Sequence, residues 1–332
     1  MNKIIPRRAL IGGAAAFAAT RASAATVTGK VIAQAQANSP WDRHWDEFKT
    51  KIAAHPDIAF EYYLRGETGN EEQMLTALRR NRVQFGAITM WGLAGIIPEA
   101  AVPMLPFLFK NEAEVDFVFD NFLVAPITRL LREKDLVFLH WGEGGWSNLY
   151  SRRPVVWPTD IRGLKVRASP NLAATAFLEA VGANPVPLGI ADIAPALQTG
   201  LVDGGLAALT YFYYSLKDFA TDLTLLKQCY DQGAVVANTA WWDTIDRSQR
   251  EVIAGAFVPP PRARADIRGH GATLLAELVK SGTRVHELTA EQRSAWTDAS
   301  KDAHERVLAD IGGRSREVYA AIQEGKRAFG SR

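Results

Sequence analysis

The stretch Thr159-Asp160-Ile161-Arg162-Gly163-Leu164-Lys165-Val166-Arg167 runs from polar turn residues into a short apolar strand and ends on an arginine. Alternation along such a strand sends Leu164 and Val166 to one face and Lys165 and Arg167 to the other. Two readings follow. The strand is half-buried with a solvated basic face, or its last arginine lines a cleft and offers a planar, permanently charged fork to a carboxylate. The segments around it decide between them.

Upstream, Val27 to Gln36 reads as a strand, and Ser39-Pro40 opens a helix from Trp41 to about Ala54, with a serine cap and proline at the first helical position. Ile58 to Leu64 alternates as a strand, Asn70 to Arg80 places Met74, Leu75 and Leu78 on one helical face, and Val83 to Thr89 returns as a strand. This β, α, β, α, β order predicts a parallel sheet covered by helices. Glu112 to Glu133 is largely helical and Leu136 to Trp141 is another strand. The glycine-rich Gly142-Glu143-Gly144-Gly145-Trp146 then marks the expected crossing between two lobes.

The same alternation recurs downstream. Leu149-Tyr150 and Leu164 to Arg167 begin the second lobe, Asn171 to Val181 and Ile190 to Thr199 are helical, and Pro185 to Leu188 and Leu206 to Leu209 are short strands. From Trp241 onward the pattern is mainly helical, broken at Pro259-Pro260-Pro261. Ligands of open α/β sheets bind beyond the carboxyl ends of the strands, and Arg167 stands at such an end.

Lys3, Arg7 and Arg8, a weakly apolar run from Ala9 to Ala19, and the triplet Ala22-Ser23-Ala24 read as a secretory signal spanning residues 1–24 and cleaved after about Ala24. The Arg7-Arg8 pair resembles a twin-arginine signal. The apolar run is far shorter than the ~20 residues a membrane span needs. Removing the segment leaves 308 residues, about right for two domains, and turns a formal charge of +2 into −2, with no polybasic run that would bind nucleic acid. Cys229 is the only cysteine, so no intramolecular disulfide is possible.

Four stretches, one of them containing most of the segment above, bear a resemblance. These are Leu105-Pro106-Phe107-Leu108-Phe109-Lys110; Pro154 followed by Asp160 to Arg167; Gly182-Ala183-Asn184-Pro185-Val186-Pro187-Leu188; and Ala196-Leu197-Gln198-Thr199-Gly200-Leu201-Val202-Asp203-Gly204. In order and spacing they resemble the extracytoplasmic solute-binding proteins of TRAP transporters, a likeness extending to Gly282 to Thr289 and covering essentially the whole mature chain. The resemblance implies a two-lobed, periplasmic-binding-protein-like α/β fold with parallel or mixed sheets, a cleft between the lobes and a helical C-terminal region. The first lobe is expected at residues 25–145 with about 236–272, and the second lobe and C-terminal helices at 146–235 with about 273–332. It implies Arg167 as anchor of a ligand carboxylate, closure of the lobes on that ligand, a periplasmic location, and large and small TRAP membrane subunits as partners of a monomer.

Departures sharpen the ligand. Many family members carry an arginine after the glycine-aromatic pair, where this chain has Ser147 and Asn148; many carry Gln-Glu-Asn-Pro after the Asp-Gly turn, where it has Gly205-Leu206-Ala207-Ala208. One basic anchor beside Leu206 and Ala207 points away from dicarboxylates and sugar acids, toward a monocarboxylate with an apolar or aromatic body. Trp91, Trp146, Tyr211, Tyr213, Tyr214, Trp241 and Trp242 lie in segments expected to border the cleft, although core packing is the commoner use of each ring. Thr89, Asn70, Gln34 and Gln36 are further lining candidates by position.

The rival class is an exported enzyme. His44, His55, His140, His270, His286 and His304 show no metal-ligand spacing with a carboxylate. Ser147 stands where a dinucleotide loop needs its last glycine, and no phosphate-binding loop or nucleophile elbow occurs. Neither catalysis, a metal nor a cofactor is therefore expected. A binding protein that feeds a sensor in place of a transporter would read the same in sequence.

Overall fold

The computed structural model describes residues 26–331; the expected signal segment and its cleavage site lie outside them. Ten strands organise the fold: β1 (Val27–Ile32), β2 (Ile58–Tyr63), β3 (Phe85–Thr89), β4 (Leu136–Ser151), β5 (Lys165–Ala168), β6 (Asn184–Pro187), β7 (Gly204–Ala208), β8 (Asp222–Thr224), β9 (Tyr230–Asn238) and β10 (Arg284–His286). They run β2-β1-β3-β9-β4-β7-β5-β6, with β8 paired to β4 and β10 to β8. The first three strands are parallel, as their order requires, and β5 lies parallel to β6 and β7. Around β4 and β9 the pairing is antiparallel, which makes the sheet mixed.

Each lobe is a sheet with helices on both faces, and strand alternation shows why. Val31, Phe85, Val137 and Val235 pack with Phe48 and Phe257 on one side of the first sheet; Ile32, Ile88, Leu136 and Val236 pack with Leu75 and Leu131 on the other. In the second lobe Leu149 and Val166 meet Phe177 and Trp296, whereas Tyr150, Ala207 and Leu223 meet Phe212 and Leu278. Within the stretch 273–332, Leu278 and Trp296 sit in second-lobe cores, but Val318 and Ile322 of the last helix, Ser315–Gly330, sit in a first-lobe core.

The glycine-rich segment Gly142 to Trp146 crosses between lobes, but as strand, not loop. β4 is continuous for 16 residues, pairing with β9 through Trp146 and then with β7 from Ser147. Glycine is required where the strands come closest: a Cβ on Gly144 would sit 2.6 Å from the Asp231 carbonyl oxygen, and Gly145 adopts φ +101° at a bulge. β9, which has no counterpart among the expected strands, is the partner of β4 along this crossing.

An ionic lock holds the helix Pro260–Gly269 over β4. Arg268 grips Asp116 with both terminal nitrogens, at 2.7 and 2.8 Å, and donates from Nε to Glu143 at 3.0 Å; Arg264 forms a fork with Asp120 at 2.7 Å. Tyr230 donates its hydroxyl to the same buried Glu143. Arg268→Ala strips the nearest cation from a carboxylate in the strand between the lobes. It is expected to lower stability by about 3 kcal/mol in urea unfolding, and Glu143→Gln in the same chain to recover part of the loss.

Candidate functional site

Between the lobes lies a cavity of about 650 Å³, the size of a small-molecule site. It opens where the parallel strands end. The segment after β1 supplies Gln34 and Gln36, β3 ends at Thr89, β5 contributes Arg167, and β7 contributes Leu206 and Ala207. The crossing strands form its back, through Glu143 and Ser147 on β4 and Asp231 and Gln232 on β9.

Arg167 is 6% exposed, yet the only hydrogen bond of its side chain within the described residues runs from Nε to the Leu188 carbonyl at 3.0 Å. That bond orients the guanidinium and leaves both terminal nitrogens without a protein partner. Beneath it Gly205 is obligatory, since a Cβ there would stand 2.2 Å from the Tyr150 hydroxyl and 3.0 Å from Cβ of Arg167. Tyr211, also at the wall, donates to the Ile190 carbonyl at 3.2 Å, and burial pushes its phenol up to about 12. A buried guanidinium with its fork unused is a receptor for a planar anion.

Across from it stand two carboxylates. Glu71, in the first turn of the helix Glu71–Arg79, accepts from the Thr89 amide at 2.6 Å and hydroxyl at 2.7 Å. Asp231 accepts from the Trp91 indole at 2.9 Å. Thr89 and Trp91 belong to one turn, so both carboxylates flank the same wall. Burial raises both carboxyl pKa values, Asp231 to about 6, against the pull of their hydrogen bonds and of the Arg167 charge.

Of the residues expected here, Arg167, Ser147, Thr89, Trp91 and Asn70 line the cavity, as do Gln34, Gln36, Leu206, Ala207 and Tyr211. Several are committed locally. The Thr89 hydroxyl caps the short helix Met90–Leu93 while bonding Glu71, and Asn70 closes a capping box with Gln73. Six expected residues, Trp146, Asn148, Tyr213, Tyr214, Trp241 and Trp242, are not among those lining the cavity. Strand alternation turns Trp146 and Asn148 away when Ser147 faces the cavity. Trp146 donates to Glu112 at 2.8 Å and packs edge-on to Tyr230, and Asn148 bonds the Trp146 carbonyl and the Lys227 amide. Trp241 follows the far end of β9, where it stacks on Phe85 and donates to the Thr28 carbonyl at 3.0 Å. Trp242 packs in the first-lobe core, and Tyr213 donates to Glu277 at the surface.

Glu71, Glu143, Asp231, Gln232 and Trp41, none of them expected, also border the cavity. The legible signal was small: Asp231-Gln232-Gly233 sets polar residues directly before the apolar Ala234-Val235-Val236-Ala237. Among the described residues no cluster of histidine, cysteine or carboxylate side chains could hold a metal, and no helix is long and apolar enough to cross a membrane.

Comparison with known proteins places these features. A family model described as DctP, bacterial extracellular solute-binding protein, family 7, matches residues 33–310. The C4-dicarboxylate-binding periplasmic protein DctP of Rhodobacter capsulatus is 26% identical over 271 residues, 80% of either chain. The fold is shared with the sugar acid binding protein DctPAm of Advenella mimigardefordensis in complex with galactonate, at TM-score 0.84 and 24% identity over 91% of this chain and all of that one. It is shared too with a TRAP periplasmic solute binding protein of Sulfurospirillum deleyianum with bound succinate, at TM-score 0.80 and 24% identity, covering 90% of this chain and 99% of that one.

The raised carboxyl of Asp231 has a consequence for stability. The folded state holds a proton that the unfolded chain releases near pH 4, so this group's stabilising effect is present below that pH and is lost as pH rises to about 6. Asp231→Asn abolishes the effect. Ligand-free Asp231→Asn protein is expected to gain on wild type between pH 4 and 7, by at most about 3 kcal/mol in urea unfolding; a constant difference would show that Asp231 titrates normally.

Proposed function

The chain belongs to the bacterial extracellular solute-binding proteins of family 7, and on that footing we propose that it captures an organic acid in the periplasm and delivers it to TRAP membrane subunits. The carboxylate sits on Arg167, and the two lobes close over it. The observation that carries this reading is the guanidinium itself: buried at the cavity, oriented by the Leu188 carbonyl, its terminal nitrogens free of protein partners. Relatives that bind a C4-dicarboxylate, galactonate and succinate all take acids, which supports the carboxylate end of the ligand.

The rest of the ligand follows from the wall. Leu75, Ile88, Trp91, Ile96, Ile193 and Leu206 supply apolar and aromatic surface, and among the described residues Arg167 is the only arginine or lysine side chain lining the cavity. A monocarboxylate with an apolar or aromatic body fits better than a diacid, whose second carboxylate would meet no cation. Leader removal after about Ala24 would release a monomeric binding protein that works without catalysis or cofactor. Closure brings the Gln34 and Thr89 side of the cavity over the Arg167 side, and only contacts made to the ligand by both lobes stabilise the closed form.

A thermal-shift screen of the residue 25–332 protein against organic acids would identify the ligand class, because binding stabilises only the folded state. With a hit in hand, Arg167→Ala is expected to weaken binding by about 2 to 5 kcal/mol, roughly thirtyfold to several thousandfold, in calorimetry. Arg167→Lys keeps the charge without the fork and should fall between. Unchanged affinity in Arg167→Ala protein would remove the carboxylate anchor.

A further inference from the structure

The charges at the cavity do not balance with a simple acid bound. Arg167 shares the cavity with Glu71 and Asp231, which are held by neutral donors: Thr89 for Glu71, and the Trp91 indole, the Ser147 hydroxyl and, at 3.6 Å, the Cys229 thiol for Asp231. Glu143 differs, since Arg268 neutralises it from behind at 3.0 Å. Glu72 and Asp192 are exposed at the rim. A ligand with a carboxylate alone would therefore set three anions against one guanidinium in a space that closes to water, where like charges repel most strongly.

A second observation points the same way. Gln34 and Gln232 both line the cavity, and in each the amide orientation is settled because Nε2 must be the atom that meets an acceptor: the Gly69 carbonyl at 3.1 Å for Gln34, and the Glu143 carboxylate at 3.2 Å for Gln232. Each then leaves Oε1 without a donor, and Gln232 is only 2% exposed. Buried acceptors are rarely left unmatched. The cleft is thus polarised, with a cation on the second lobe and carboxylates on the first lobe and the crossing strand.

We infer that the ligand is a zwitterion whose carboxylate lies on Arg167 and whose protonated, N–H-bearing nitrogen is held by Glu71 and Asp231. The inference rests on the carboxylate reading of Arg167 and adds the other end of the molecule. Hydroxyl groups would satisfy the acceptors' hydrogen bonds but not their charge, and a quaternary ammonium would supply charge but no donor. An amino acid with an apolar body supplies both.

Matched probes test this by calorimetry at neutral pH: phenylalanine, leucine, 4-aminobutyrate and 6-aminohexanoate, each against its hydroxy acid and its unsubstituted acid. At least one amino acid is expected to bind ten times more tightly than both partners. Glu71→Gln and Asp231→Asn should each lower that affinity tenfold or more while leaving the unsubstituted acid as tight or tighter, with each variant's own circular dichroism and melting midpoint confirming its fold. Hydroxy or unsubstituted acids that equal or outbind every amino acid, still in an Arg167-dependent way, would overturn the zwitterion and leave the carboxylate reading standing. Loss of Arg167 dependence would fell both. Failure of all four amino acids to bind at millimolar concentration, or amino acid binding indifferent to both carboxylate variants, would also overturn the inference.

Discussion

The constraint on which the molecule depends is the antiparallel pair formed by β4 and β9. β4 is long enough to pair with β9 in the first lobe and with β7 and β8 in the second, so one backbone ladder belongs to both cores. The helix Pro260–Gly269 clamps this pair through Arg264 and Arg268, and the last helix packs back onto first-lobe elements. The cavity has a fixed back wall for this reason, whatever its two side walls do. Asp231, Gln232, Glu143 and Ser147 are borne on that wall, whereas Arg167 and Glu71 stand on opposite flanks.

Charges placed at a partly buried cavity carry a desolvation cost. Arg167, Glu71 and Asp231 are ordered by neutral hydrogen bonds, which settle their geometry and leave their charges unmatched by contact. The structural charges, by contrast, are paired as forks on the outside of β4. Glu143 belongs to both sets, lining the cavity while paired with Arg268, whereas Arg167, Glu71 and Asp231 meet no opposite charge by contact.

Much of this was legible in the residues. The cap at Ser39, the parallel order of the first three strands and the placement of Arg167 at a strand end all follow from local patterns that tertiary packing reinforces. β9 was not legible, because its first half, Tyr230-Asp231-Gln232-Gly233, carries polar groups dictated by the cavity and its two partners are distant in sequence. In sequence Glu71 is one more acid in the first turn of a helix, and only the fold shows its carboxylate turned onto Thr89. The tryptophans divided according to strand parity and strand end: Trp91 reached the cavity and Trp146 and Trp241 did not, a distinction that aromatic content cannot make.

The continuity of β4 also bears on how such a protein can diversify. A break at Gly144 would cut a strand in mid-ladder, separating side chains that both cores use, so the two lobes are not interchangeable modules. Recombining one lobe with that of a relative would have to import the shared strand and its partner together, and with them half of the recognition surface. New preferences in this scaffold must therefore arise mainly by replacement of single wall residues in place, with the crossing strands inherited whole.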